Sequence, residues 1–508
     1  MPPGLLEVCS AVLVAGSTAL AFFSGGFFDP PRLAAGVVAC ALVVVTALFA
    51  PRPLPTSTPG RVALLGLSLL TAWTALSLTW APLGDRAQDD LQRLVLYLSF
   101  FVVALTALRG RRTPRWLEPA LALGALVVVG YGLSERLLPE LVELDRSRSA
   151  AGRLEQPLTY WNAFGLVAAL GLVLCARLAG DARRGRGLRA AAAAAGVPLG
   201  LGVYLTFARG ALAAVVLGLL VLVALAPAGR AQLRGVLAIV APATAAALVA
   251  SALPSVKSLE IGERGDPGDG VLMLVVTVLL SAAAAAIAWT RPRRPLRAPS
   301  LGVSRPRAVL GVAALVLVAG GVAVTLLQGA PEGTSPVRGA SPQRLGSIDT
   351  NRYRYWEAAG ETFADHPVVG IGSGGFAVEW LKVRDRVDIS GDAHSIYLET
   401  AAELGVVGLA FLLLFVGGIG AAVFRLYRLD PAAGAGLAAA LAAWAFHAGL
   451  DWDWEMPAAT LPALLLGAAA VAWSEEPTGV AEDRHRAAEA PAIARAASDR
   501  GPAPERAV

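Results

Sequence analysis

From Leu5 to Trp473 the sequence repeats one pattern: an apolar run, then a short polar break. Each run is about 20 residues long, the length that crosses a hydrocarbon core as a helix. Lipid offers the backbone no hydrogen-bond partner, so only helices or closed barrels span it. The runs are continuous rather than alternating, which selects helices. They fall at 5–23, 33–50, 62–80, 92–108, 117–135, 160–178, 188–207, 210–227, 235–253, 271–290, 308–327, 404–424, 434–450 and 457–473. Composition agrees: 56% of the 508 residues are hydrophobic and 16% charged, the balance of a polytopic membrane protein. The first run lacks a basic flank and reads as a retained span, not a cleaved signal. The expected fold is all-α: a transmembrane bundle of about 12–14 spans over residues 1–473. Residues 474–508, rich in Ala, Arg, Glu and Pro, read as a disordered cytoplasmic tail.

The net charge of +5 is carried almost wholly by arginine; Lys257 and Lys382 are the only lysines. The arginines cluster in short connections, at 109–115, 177–189 and 291–307, with pairs at 52 and 61, 230 and 234, and 425 and 428. Each connection follows an even-numbered span. This is the pattern of cytoplasmic loops, with both termini inside, and it argues against a nucleic-acid surface. Cys9, Cys40 and Cys175 lie within apolar runs and suggest neither a disulfide framework nor a metal site.

The opposite, extracytoplasmic side receives residues 136–158, 256–270 and a large loop, 328–403. A loop of that length is usually functional or disordered. From Asp349 it acquires order: "RYRYWEAAGETFADHP" has helical spacing and stops at Pro367, "GIGSGG" is a tight turn, and "FAVEWLKVRDRV" reads as helix. Asp392 is an N-cap candidate for a helix ending at Gly405.

Four polar features face this side. Arg209 ends a span in "LTFARGALAA", as an interfacial anchor or a functional cation. Arg352 and Arg354 open the loop helix. There a guanidinium opposes the helix dipole and gains nothing locally, whereas a phosphate partner would give it a purpose. His394 is either polar surface or a base suited to neutral pH. In "FHAGLDWDWEMPA", His447 is either functional or a buried histidine hydrogen-bonded to a neighbouring helix. Trp452 and Trp454 there read as an aromatic belt. Asp451, Asp453 and Glu455 could bind a cation, but their crowding at the interface needs no metal, and no cofactor is expected.

The sequence resembles the O-antigen ligase and Wzy-type polymerase superfamily over roughly residues 150–460. Its pattern H-[NSQ]-x9-G-x-x-[GTY] is met by His394, Ser395, Gly405 and Gly408. "NRYRYWEAAGETFADHPVVGIGSGGF" is similar to the family's run of arginine, tryptophan, then Pro-x-x-Gly-x-Gly, with Arg352 four residues before Trp356. "TFARGA" resembles the family's "SRGA"-type turn, without the serine. "GRLEQPLTYWNAFG" is similar to its Asn-bearing entry to a span. The resemblance implies a GT-C-like, metal-independent, inverting membrane glycosyltransferase. Its donor would be an undecaprenyl-diphosphate-linked glycan and its acceptor a glycan or lipid. It implies Arg209, Arg352 and His394 as catalytic residues. Arg354, Trp356, Asn162, Tyr397 and His447 are the further substrate-binding candidates. The expected setting is the bacterial inner membrane, with the active site on its outer face. The rival readings are a transporter of a small solute or anion, an assembly scaffold, and a protein O-glycosyltransferase of the same family.

Overall fold

The computed structural model describes residues 3–50, 53–109, 113–290, 340, 352–384 and 390–475. Eleven of its helices are long and apolar enough to cross a membrane, and two shorter helices are also apolar. Together they cover every expected span except 308–327, which lies outside the described residues, as does nearly all of the tail. No strand occurs among the described residues.

In chain order the helices are α1 (Pro3–Leu20), α2 (Asp29–Phe49), α3 (Thr58–Ser77), α4 (Gly84–Ala107), α5 (Thr113–Leu137), α6 (Trp161–Gly180), α7 (Arg186–Leu205) and α8 (Arg209–Leu225). They continue as α9 (Gly229–Ala252), the single turn α10 (Pro254–Lys257), α11 (Pro267–Trp289), α12 (Arg352–Asp365), α13 (Phe376–Val383), α14 (Ile396–Leu429), α15 (Pro431–Ala448) and α16 (Pro457–Glu475). Several starts are written in the sequence. Ser57, Asp266 and Asp430 each cap the helix they precede, with proline just inside it.

The apolar length of α6 is buried throughout, and that of α16 nearly so, which makes them central. Small residues let the helices close up, since lipid supplies no hydrophobic drive between them. At the α3–α14 contact, a Cβ on Gly66 would collide with the Phe415 backbone, and one on Gly418 with Ala63.

The alternation of helices sorts the polar groups to two ends. At one end, Arg177 pairs with Asp181 at 2.9 Å, Arg183 with Asp430 at 3.0 Å, Arg184 with Glu118 at 2.8 Å, and Arg109 with Glu475 at 3.0 Å. These groups belong to the arginine-rich connections that the sequence placed together. At the other end, α12 and α13 form a cap on α14. Its small apolar core holds Tyr355, Trp356, Phe376, Trp380 and Ala402.

The cap is fastened to a break in α14. Gly405, at φ 66° and ψ −169°, interrupts helical geometry there. That conformation suits glycine alone. The break strands the carbonyls of Ala402, Glu403 and Leu404. They accept from Ile371 N at 3.2 Å, Gly372 N at 2.8 Å and Trp73 Nε1 at 3.0 Å. The Glu403 carboxylate accepts from Gly374 N and Phe376 N, each at 2.9 Å. "GIGSGG" is thus a turn that satisfies a helix break. The N-cap position of α14 is Ser395, not Asp392, because the chain enters the helix three residues later than its composition suggests.

Candidate active site

Each candidate residue is set in place by a local device. Arg209 begins α8 after a turn in which Phe207 takes φ 48° and is fully buried. The Thr206 hydroxyl donates to Val203 O at 2.7 Å and accepts from Ala208 N at 3.2 Å, which locks that turn. Thr206 thus does structural service ahead of the arginine. The turn brings Gly210 against His447: a Cβ on Gly210 would lie 3.1 Å from His447 Nε2.

His447 is fully buried near the end of α15, and its Nδ1 lies 2.5 Å from Asp453 Oδ2. It is therefore bonded to the next turn of chain rather than to a neighbouring helix. Its Nε2 has no hydrogen-bond partner among the described residues.

Arg352 is the first residue of α12, and its guanidinium pairs with Asp451. A carboxylate from the α15–α16 connection thus supplies the partner that the helix end does not. Asp451 is the hub of the group. Tyr160 donates its hydroxyl to Asp451 Oδ1 at 2.6 Å, Asn162 Nδ2 donates to the Tyr160 hydroxyl at 2.8 Å, and Trp452 N donates to Asp451 Oδ1 at 3.0 Å. Burial alone would raise the Asp451 pKa. The facing cations, Arg352 foremost, outweigh it and hold the carboxyl below its usual range. Burial and the same carboxylate push the Tyr160 phenol well up, so it remains a donor.

His394 stands at φ 56°, a left-handed conformation uncommon for a side-chain-bearing residue. Its ring stacks on Tyr355 at 5.0 Å and meets the edge of Trp452 at 6.3 Å. Its Nδ1 lies 3.1 Å from the Asp392 carbonyl. A carbonyl can only accept, so this contact puts the proton on Nδ1 and leaves the Nε2 lone pair available. Burial lowers the His394 pKa, Asp451 opposes that, and Arg352 reinforces it; the net direction is down from 6.5. That direction favours the neutral imidazole at pH 7.

Arg352, His394, Asn162 and His447, against which Gly210 packs directly after Arg209, therefore gather at one end of the bundle, around Asp451 and Trp452. Tyr397 also borders this group: it packs on Gly449, and its hydroxyl donates to Ala445 O at 2.9 Å. Arg354 is half-buried on the first turn of α12. Trp356 is 6% exposed in the cap core, so its evident contacts are packing ones. Trp454 corrects the belt reading: it is buried against Tyr97, whose hydroxyl donates to its carbonyl at 2.7 Å, while Trp452 roofs the site. The hub role of Asp451 and the part of Tyr160 were not legible in the sequence. The available signal was a carboxylate beside a tryptophan at the mouth of a span.

Residues 270–413 match the family model described as O-Antigen ligase, and over this stretch the chain is similar to that family. The match includes Arg352, Arg354, Trp356, His394 and Tyr397. Arg209, Asn162, His447 and Asp451 lie outside it. No curated protein matches the sequence.

Proposed function

We propose that the chain is an inverting glycosyltransferase that moves a glycan from undecaprenyl diphosphate to a glycan or lipid acceptor at the outer face of the bacterial inner membrane, building a cell-envelope polysaccharide. The catalytic unit is residues 1–473, with 328–403 as its outer loop and 474–508 as a cytoplasmic tail. The observation that carries this reading is the meeting of the His394 imidazole, packed on Trp452, with the Arg352–Asp451 pair at the bundle end away from the arginine-rich connections.

His394 Nε2 takes the proton of the acceptor hydroxyl as its oxygen attacks the anomeric carbon. The bond from that carbon to the diphosphate oxygen breaks on the opposite face, which inverts the centre. The leaving diphosphate carries off the electron pair, and Arg352 and Arg209 stabilise its charge. Diphosphate is already a good leaving group, so positioning and charge neutralisation supply most of the catalysis. In the apo state Asp451 holds Arg352 in place for the incoming anion. Asn162, Arg354 and Tyr397 border the site, and the buried Trp356 and His447 pack behind it. A transporter would place its binding groups near the midplane, whereas this cluster lies at the helix ends.

The test is turnover of a lipid-linked oligosaccharide by the purified chain in liposomes. Wild type is expected to release undecaprenyl diphosphate and form a glycosylated acceptor. Arg352→Ala and His394→Ala are expected to reach the membrane normally and turn over nothing. Wild-type turnover that persists in Arg352→Ala would refute the assignment. Solute flux without turnover would favour the transporter.

A further inference from the structure

Beside this site lies a second polar centre that the transfer chemistry does not use. One carboxylate oxygen from each of Asp392, Glu399 and Glu455 lies within 4.8 Å of the others. The three come from three segments: the loop before α14, α14 itself, and the α15–α16 connection. Glu399 and Glu455 also line a cavity of about 40 Å³, room for an ion with a water or two and too small for a sugar ring.

Neighbouring cations offset only part of this charge: Arg93 and Arg86 act on Asp392, and Arg93 on Glu455. Asp90 is occupied by Arg93 at 2.8 Å and by the Ser373 hydroxyl at 2.6 Å, and Glu403 by two backbone N–H groups. Among the described residues Glu399 accepts only from Ala393 N, at 2.8 Å. Arg93 reaches Glu455 at 3.7 Å, but it already serves Asp90. A separate observation points to a missing ligand. Thr74, on the wall of the same cavity, is fully buried, and its Oγ1 has no hydrogen-bond partner among the described residues. Buried hydroxyls are ordinarily satisfied.

We propose that Asp392, Glu399 and Glu455 hold a divalent hard cation, with Ca²⁺ the best fit. All-oxygen donors suit Ca²⁺ and Mg²⁺ rather than softer metals. Oxygens on opposite sides of one Ca²⁺ stand about 4.6–5.2 Å apart, and on Mg²⁺ about 4.0–4.2 Å. A spread of up to 4.8 Å is nearer the calcium range than the magnesium range. The ion touches no reacting atom. It ties together the loop carrying His394, the first turn of α14 and the connection carrying Asp451, and so braces the site.

The test uses Tb³⁺ as a probe on the full-length purified protein after chelation with EGTA, because Trp454 on the cavity wall can sensitise its luminescence. Wild type is expected to show a saturable signal displaced by Ca²⁺, and Ca²⁺ is expected to raise its melting temperature. Glu455→Gln and Glu399→Gln are each expected to weaken Tb³⁺ binding by about tenfold or more. Absence of a saturable signal together with no melting shift in wild type would overturn the proposal. So would binding that both variants leave unchanged. The readout is ion binding, so its outcome does not depend on whether the chain transfers a glycan.

Discussion

Asp451 connects the two halves of the candidate site, because a single buried carboxylate touches Arg352 from the cap and Tyr160 from the mouth of α6. Replacing it with asparagine leaves the guanidinium without its counter-charge. Breaking a buried pair typically costs 3–5 kcal/mol. Arg352 retains 19% exposure, so the expected loss in Asp451→Asn is nearer about 3 kcal/mol. Thermal melting of the purified variant measures it, and unchanged melting would show the pair to be incidental. Transfer is expected to fall about a hundredfold, as for a misplaced positioning group. The charged groups facing His394 are Asp392, Asp451 and Arg352, and its pKa lies below 6.5. The ring is neutral above that pKa and protonated below it. Initial rates are therefore expected to stay level as pH falls from 7 through 6.5 and to decline only in more acid solution. An acid limb centred above 6.5 would contradict a base in this environment.

The break in α14 is the element on which the cap depends. A Cβ at Gly405 would collide with the Val368 carbonyl, in a backbone conformation that L-residues rarely adopt. Gly405→Ala is expected to cost about 2–5 kcal/mol, from strain and overpacking together. The readout is a lower melting temperature and protease cleavage near residues 367–376. A variant as resistant as wild type would mean that the cap does not rely on the break. The sequence marked this glycine as the end of a helix, because composition changes there. That the chain resumes a helix immediately, with "GIGSGG" bonding the freed carbonyls, depends on contacts about 30 residues apart in the chain. No local pattern encodes them.

The bundle as a unit was the most legible feature, since an apolar run long enough to cross lipid has few other fates. Arg209, Arg352 and His394 were singled out by motif resemblance alone, and the fold brings their segments to one end. Asp451 was not legible, because its meaning arises only when residues 99 apart in sequence meet. Trp454 was misread because "DWDWE" alternates sides: Trp452 faces the site, and Trp454 turns inward onto Tyr97. The arginine pattern assigns an orientation that labelling can test. With an impermeant thiol reagent on intact cells, Glu140→Cys is expected to react and Arg61→Cys only after permeabilisation; the reverse would invert the protein in the membrane. The most direct measurement of the proposed chemistry separates binding from transfer. Affinity for undecaprenyl diphosphate should drop sharply in Arg209→Ala and Arg352→Ala yet survive in His394→Ala, which binds the lipid but transfers nothing. Lipid binding left intact by both arginine variants would contradict the account.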